Sequence, residues 1–170
     1  MWGARGGDWT YIVARGRLAG LMNVDETGII LVDHGSRRGE SNAMLLDVAA
    51  MFARRSAYTI VEPAHMELAE PSIATAYGRC VQRGARLVVV HPYFLLPGRH
   101  WDEDIPKLVA AAAADHPEVS YLVTAPLGLH EKMAEIISER IALCLQHSRT
   151  GAEACDLCAD TDKCRIRRGG

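Results

Sequence analysis

Three histidines fall inside short polar motifs: Asp33-His34-Gly35-Ser36-Arg37-Arg38, Glu62-Pro63-Ala64-His65-Met66-Glu67 and Pro97-Gly98-Arg99-His100-Trp101-Asp102. Neutral imidazole binds borderline divalent cations such as Fe2+, Co2+, Ni2+ and Zn2+. It also takes up a proton near neutral pH. His34 and His100 with a carboxylate, and with coordination positions left open, make a site that holds a ferrous ion weakly enough to release it. Arg37, Arg38 and Arg99 suit an acidic ligand, because guanidinium forks onto carboxylate. Ser36 and His65 join them as candidate ligand contacts. His91 lies in an apolar run and reads as packed or hydrogen-bonded, while His116, His130 and His147 read as surface residues. Glu62 and Glu70 read as structural, and Ser41 and Asn42 as caps of the first helix.

A second concentration of chemistry lies at the other end of the chain. Cys144, Cys155, Cys158 and Cys164 crowd together, while Cys80 stands alone. A C-x-x-C pair with two flanking cysteines supplies four thiolates, which serve either zinc or an iron–sulfur cluster. With no secretory signal to suggest an oxidising compartment, that pattern reads as a metal or redox site before a disulfide framework. Cys80 falls on a helical stripe and reads as a small buried hydrophobe.

These residues need elements to position them. Apolar runs of strand length occur at 28–32, 58–61, 87–96 and 121–125, with few polar interruptions, as strands buried on both faces require. Between them run helical stripes: Leu45, Val48, Ala49 and Phe52; Ile73, Tyr77, Cys80 and Val81; Ile105, Leu108, Val109 and Ala112; and Met133, Ile137, Ile141 and Cys144. Pro71 stands where the first turn of the second helix is expected. The order βαβαβαβα predicts an α/β fold, a four-stranded parallel sheet with helices on both faces. In such a sheet, ligands bind beyond the carboxyl ends of the strands, which is where the three histidine motifs fall. Residues 1–26 read as a poorly ordered extension, with Met22 a candidate start. Residues 27–147 form the domain and 148–170 a cysteine-bearing tail that carries no apolar stripe, so a bound metal supplies its reason to order.

The 170 residues suffice for one domain with a real core. Nineteen basic residues against 21 acidic give a net charge of −2, which supports neither broad nucleic-acid nor membrane-surface binding. No apolar run is long enough to span a bilayer.

Together, DHGSRR at 33–38, EPAHMELAEPSI at 62–73, HPYFLLPGRHWDEDIP at 91–106 and TAPLG at 124–128 resemble the class II chelatases. The resemblance runs from about Gly28 to Cys164 and is greatest to the short plant-type sirohydrochlorin ferrochelatases, whose tail bears cysteines. It implies a single chelatase-like lobe that inserts Fe2+ into sirohydrochlorin to form sirohaem, with release of two protons. It assigns metal delivery and pyrrole N–H deprotonation to His34 and His100, with Glu67 assisting. It implies a [2Fe–2S] cluster on Cys144, Cys155, Cys158 and Cys164. Larger members carry two lobes, so a one-lobe chain is expected to work as a homodimer. The expected compartment is the cytoplasm, with the chloroplast stroma as the alternative. Two other readings stay open: a cobaltochelatase of cobalamin synthesis, using the same ligands, and a non-enzymatic metal- or tetrapyrrole-binding redox sensor.

Overall fold

The computed structural model describes residues 23–150 and Cys158. A short 3₁₀ turn, Val24–Glu26, leads into strand β1, Thr27–Asp33. Then follow α1 (Gly39–Arg55), β2 (Ile60–His65), α2 (Ile73–Gln82), β3 (Leu87–Pro92), a π-helical turn (His100–Asp104), α3 (Ile105–Ala114), β4 (Ser120–Val123) and α4 (Glu131–Thr150). The four strands are all parallel, in the order β2-β1-β3-β4.

The central position of β1 explains its composition. Every residue from Thr27 to Val32 is buried, because helices cover both of its faces. Ile29 and Leu31 pack on Leu45 and Ala49 of α1, flanked by Val48 and Phe52. Ile30 and Val32 face the other way, into a core with Val88 and Val90 of β3, Ile73, Tyr77 and Cys80 of α2, and Ile105 and Val109 of α3. Each such buried aliphatic side chain contributes about 1.5–3 kcal/mol relative to exposure. Gly28 lets α2 approach this closely, since a Cβ there would lie 2.8 Å from Cys80 Cβ.

Prolines set two strand limits that differ from the apolar runs. The third strand stops at Pro92 rather than Leu96, because a residue without an N–H cannot continue a ladder between two neighbours. β2 runs through Pro63 to His65, beyond the expected end at Val61, because as the outer strand it pairs on one side only. Helix α2 is capped by Ser72, whose side chain accepts the Thr75 N–H, so Pro71 stands before the cap and not in the first turn. Asn42 does not cap α1 but reaches back to Ser36.

The chain divides into two compact units, one ending at Gly128 and the other starting at Leu129. The second contains α4, none of whose residues is buried; Ile137 and Ile141 of its apolar stripe are both exposed. Among the described residues no helix is long and apolar enough to cross a membrane.

Candidate functional site

The chain passes from β1 to β2 on one side and from β2 to β3 on the other, so the strand order reverses between β1 and β3. Ligands of open parallel sheets bind in the crevice at such a reversal. His34, just past β1, and His100, past β3, meet there with ring centroids 5.2 Å apart in an edge-on arrangement.

A tight turn aims His34. Gly35 has φ +83, and a Cβ on it would stand 1.9 Å from the Glu67 carbonyl oxygen, so only glycine lets the two backbones pass. The Met66 N–H donates to Asp33 O at 2.8 Å and the Glu67 N–H to His34 O at 3.1 Å, continuing the ladder beyond the strands. Glu67 Oε1 thereby lies 2.8 Å from His34 Nε2. Leu68, the next residue, has φ 68.

His100 opens the π-helical turn, a device frequent at functional sites. Its Nδ1 lies 2.8 Å from Asp104 Oδ2. Carboxylate–imidazole pairing of this kind fixes the ring and leaves Nε2 as the donor atom. Trp101 anchors the turn by donating its indole N–H to Thr124 O at 2.8 Å. The Thr124 hydroxyl donates to Ala125 O, so the 2.7 Å contact with His91 Nδ1 requires that His91 be the donor. Burial holds the His91 imidazole below its ordinary pKa. Beside His100 opens a cleft of about 280 Å³, lined mainly by Phe94, Leu95, Leu96, Arg99 and Trp101.

Of the expected ligand contacts, Arg37 and Arg38 are exposed and pair with no carboxylate among the described residues. Arg99 is exposed 3.9 Å from Glu103 and 4.0 Å from Asp104. Ser36 is held by Asn42 and accepts the Arg38 N–H. His65 departs from expectation. Its side chain is wholly buried, with Nδ1 2.6 Å from Asp33 Oδ1, so it offers no surface to a ligand. Glu62 pairs with Arg79 and Arg83, and Glu70 accepts the Ser72 N–H, a bond that holds its carboxyl below the usual range.

Each ring's contacting nitrogen already faces a carboxylate. Among the described residues no group of three His, Cys, Asp or Glu could hold a metal ion as it stands. Cys144 is exposed and Cys158 partly exposed, neither in a disulfide; Cys155 and Cys164 lie outside the described residues, as do residues 1–22.

The model of the CbiX family matches residues 28–143, which hold all of the sheet but Thr27, together with the site histidines and carboxylates, though not the tail cysteines. The chain belongs to the CbiX family. It is 55% identical over 142 residues to the chloroplastic sirohydrochlorin ferrochelatase of Arabidopsis thaliana, covering 84% of this chain but 63% of that protein. It therefore spans less than two thirds of that relative's length. The sirohydrochlorin cobaltochelatase of Sulfurisphaera tokodaii is 32% identical over 123 residues, 71% of this chain and 96% of that one. Among solved structures, the sirohydrochlorin chelatase SirB of Bacillus subtilis subspecies spizizenii in complex with cobalt superposes with a TM-score of 0.65 at 28% identity, over 69% of this chain and 50% of that one.

Two site features of this CbiX-family chain have weak sequence signals. Asp104 follows His100 by four residues, the spacing of one helical turn, and that spacing could have found it. The tie from Trp101 to Thr124 joins residues far apart in sequence and has no local signature.

Proposed function

We propose that the protein inserts Fe2+ into sirohydrochlorin, forming sirohaem with release of two protons. The observation that carries this reading is the meeting of His34 and His100 at the strand-order reversal, each ring beside a carboxylate. Metal insertion needs donors that accept and then surrender the cation, and bases for two pyrrole N–H protons. His34, Glu67 and His100 suit the incoming metal. A cation that takes His34 Nε2 either displaces Glu67 or draws its carboxylate in as a second ligand. Once the cation passes to the macrocycle, the Nε2 atoms of His34 and His100 are freed and accept the two pyrrole protons that the metal displaces. The cleft wall offers Phe94, Leu95, Leu96 and Trp101 to an apolar macrocycle face, and Arg37, Arg38 and Arg99 suit its carboxylates.

The 55% identity to a ferrochelatase favours iron. Cobalt insertion is the second reading, supported by the cobaltochelatase relative and the cobalt-bound neighbour. An anaerobic assay with Fe2+ and Co2+ in parallel, followed by the absorbance of the metallated product, separates them. His34→Ala and His100→Ala should each lower turnover about a hundredfold, the contribution of a positioned base; variants as fast as the parent refute the site. Turnover never exceeding one per chain favours the non-enzymatic binder.

We infer further that Cys144, Cys155, Cys158 and Cys164 hold a [2Fe–2S] cluster, a one-electron redox group. Four thiolates match its needs, and Cys144 carries an exposed thiol. Anaerobically purified protein should be brown, with visible bands lost in Cys155→Ser; colourless protein with one zinc per chain refutes the cluster. A homodimer in the chloroplast stroma is the proposed working form. The exposed stripe on α4 and the chloroplastic relative support it.

A further inference from the structure

We propose that His65 is a positioning residue, holding the Asp33–Gly35 turn and, through it, the contact between His34 and Glu67. The inference rests on the chelatase reading above. His65 and Asp33 are register partners on the last rung between β2 and β1. At that rung the two backbones leave the sheet to present the site. One oxygen, Asp33 Oδ1, receives both the His65 Nδ1–H at 2.6 Å and the Gly35 N–H at 2.9 Å. The carboxylate therefore ties the end of β2 to the turn that throws His34 outward. Glu67, two residues after His65, meets His34 Nε2 at 2.8 Å. The latch and the site contact thus bridge the same pair of chain segments, one below the surface and one above it.

His65 is a poor choice for mere filling. Its Nε2 is buried and has no hydrogen-bond partner, so that nitrogen has lost water and gained nothing. A leucine would fill the space without that loss. The polar contact His65 does make is the one to Asp33. A residue that costs stability yet braces the group beside a functional side chain is the pattern of a supporting shell.

The test is steady-state, anaerobic insertion of Fe2+ into sirohydrochlorin by the parent chain, His65→Leu and His65→Asn, with thermal unfolding of each. Asparagine places its amide N–H close to where Nδ1–H stands; leucine has no donor. His65→Leu should lose at least tenfold in kcat, with KM for sirohydrochlorin within twofold and a Tm no lower than the parent's. His65→Asn should recover most of the lost turnover. Parent-like kcat in His65→Leu, or no recovery in His65→Asn, overturns the proposal. A readout independent of turnover is the side-chain nitrogen NMR spectrum of the parent. His65 should show the Nδ1–H tautomer with a slowly exchanging proton, and an Nε2–H tautomer refutes the latch even if the variants fail to fold. A parent chain without turnover sinks the chelatase reading instead and leaves the spectrum to judge the pair.

Discussion

Gly35→Ala should damage stability and turnover together, and its size follows from the turn. At φ +83 an alanine costs about 1–2 kcal/mol that glycine does not. The new Cβ would stand 1.9 Å from the Glu67 carbonyl oxygen, so the two backbones must separate by more than 1 Å to reach ordinary contact. That movement breaks the 3.1 Å bond from the Glu67 N–H to His34 O, at about 1 kcal/mol. The total is about 2–3 kcal/mol. At about 2–4 °C per kcal/mol for a domain of this size, the Tm should fall by about 4–12 °C. The same movement separates His34 from Glu67, and a misplacement of about 1 Å costs about a hundredfold in rate. Gly78→Ala is the internal control. It lies in the middle of α2, nothing stands within 4 Å of a Cβ there, and alanine should raise stability by about 1 kcal/mol. Scanning calorimetry and the anaerobic chelation assay measure both variants. If Gly35→Ala keeps its Tm within about 2 °C and its turnover within about threefold, the turn does not set the site as argued.

Two other consequences are as direct. Burial, reinforced by Glu62, pushes the Cys80 thiol up to about 12. A thiol that stays protonated in the fold but ionises at about 8.5 when unfolded keeps its full stabilising effect below that pH and loses it as pH rises toward 12, at about 1.4 kcal/mol per pH unit. In denaturant titrations the stability difference between parent and Cys80→Ala should therefore shift toward the variant by about 2 kcal/mol between pH 7 and 10; a pH-independent difference refutes it. Trp101→Phe keeps an aromatic wall in the cleft but removes the N–H that donates to Thr124 O. Turnover should fall about three- to tenfold, and an unchanged kcat would show that this tie does not hold His100.

The sheet and the two histidines were legible because one physical rule served both. Strands buried on two faces read as unbroken apolar runs, and their carboxyl ends then located His34 and His100 before any contact was known. What was not legible depended on partners. The run 87–96 carries no sign that β3 has neighbours on both sides while β2, which runs through Pro63, has only one. His65 sits among polar residues at a strand end, and only the folded structure shows that its ring is sealed in. The stripe on α4 was read correctly as amphipathic, yet amphipathicity says that a face wants covering and not what covers it. The tail cysteines remain a matter of spacing, since Cys155 and Cys164 lie outside the described residues.

The two halves of the site are held by different means, and the difference bears on metal transfer. His34 and Glu67 are fixed by backbone bonds that prolong the β1–β2 ladder. His100 stands on an exposed π-helical turn held by side-chain bonds, its own to Asp104 and that of Trp101 to Thr124. A chelatase must bind a cation and then yield it to a macrocycle. A preformed cage of three converging donors would bind tightly and release slowly, most of all for metals late in the divalent affinity order. Here His34 Nε2 already has a carboxylate partner in Glu67, so a cation arriving at that atom competes with the protein's own contact and its net affinity falls. When the metal leaves, that contact re-forms, so the arrangement that weakens binding also assists release. Asp104 does the opposite at His100: it holds Nδ1, orients the ring and leaves Nε2 open and more basic. Asp104→Asn should therefore weaken Co2+ binding and lower turnover together, each by about tenfold. A Co2+ titration beside single-turnover insertion measures both, and a variant that binds Co2+ more tightly than the parent would refute the division of roles.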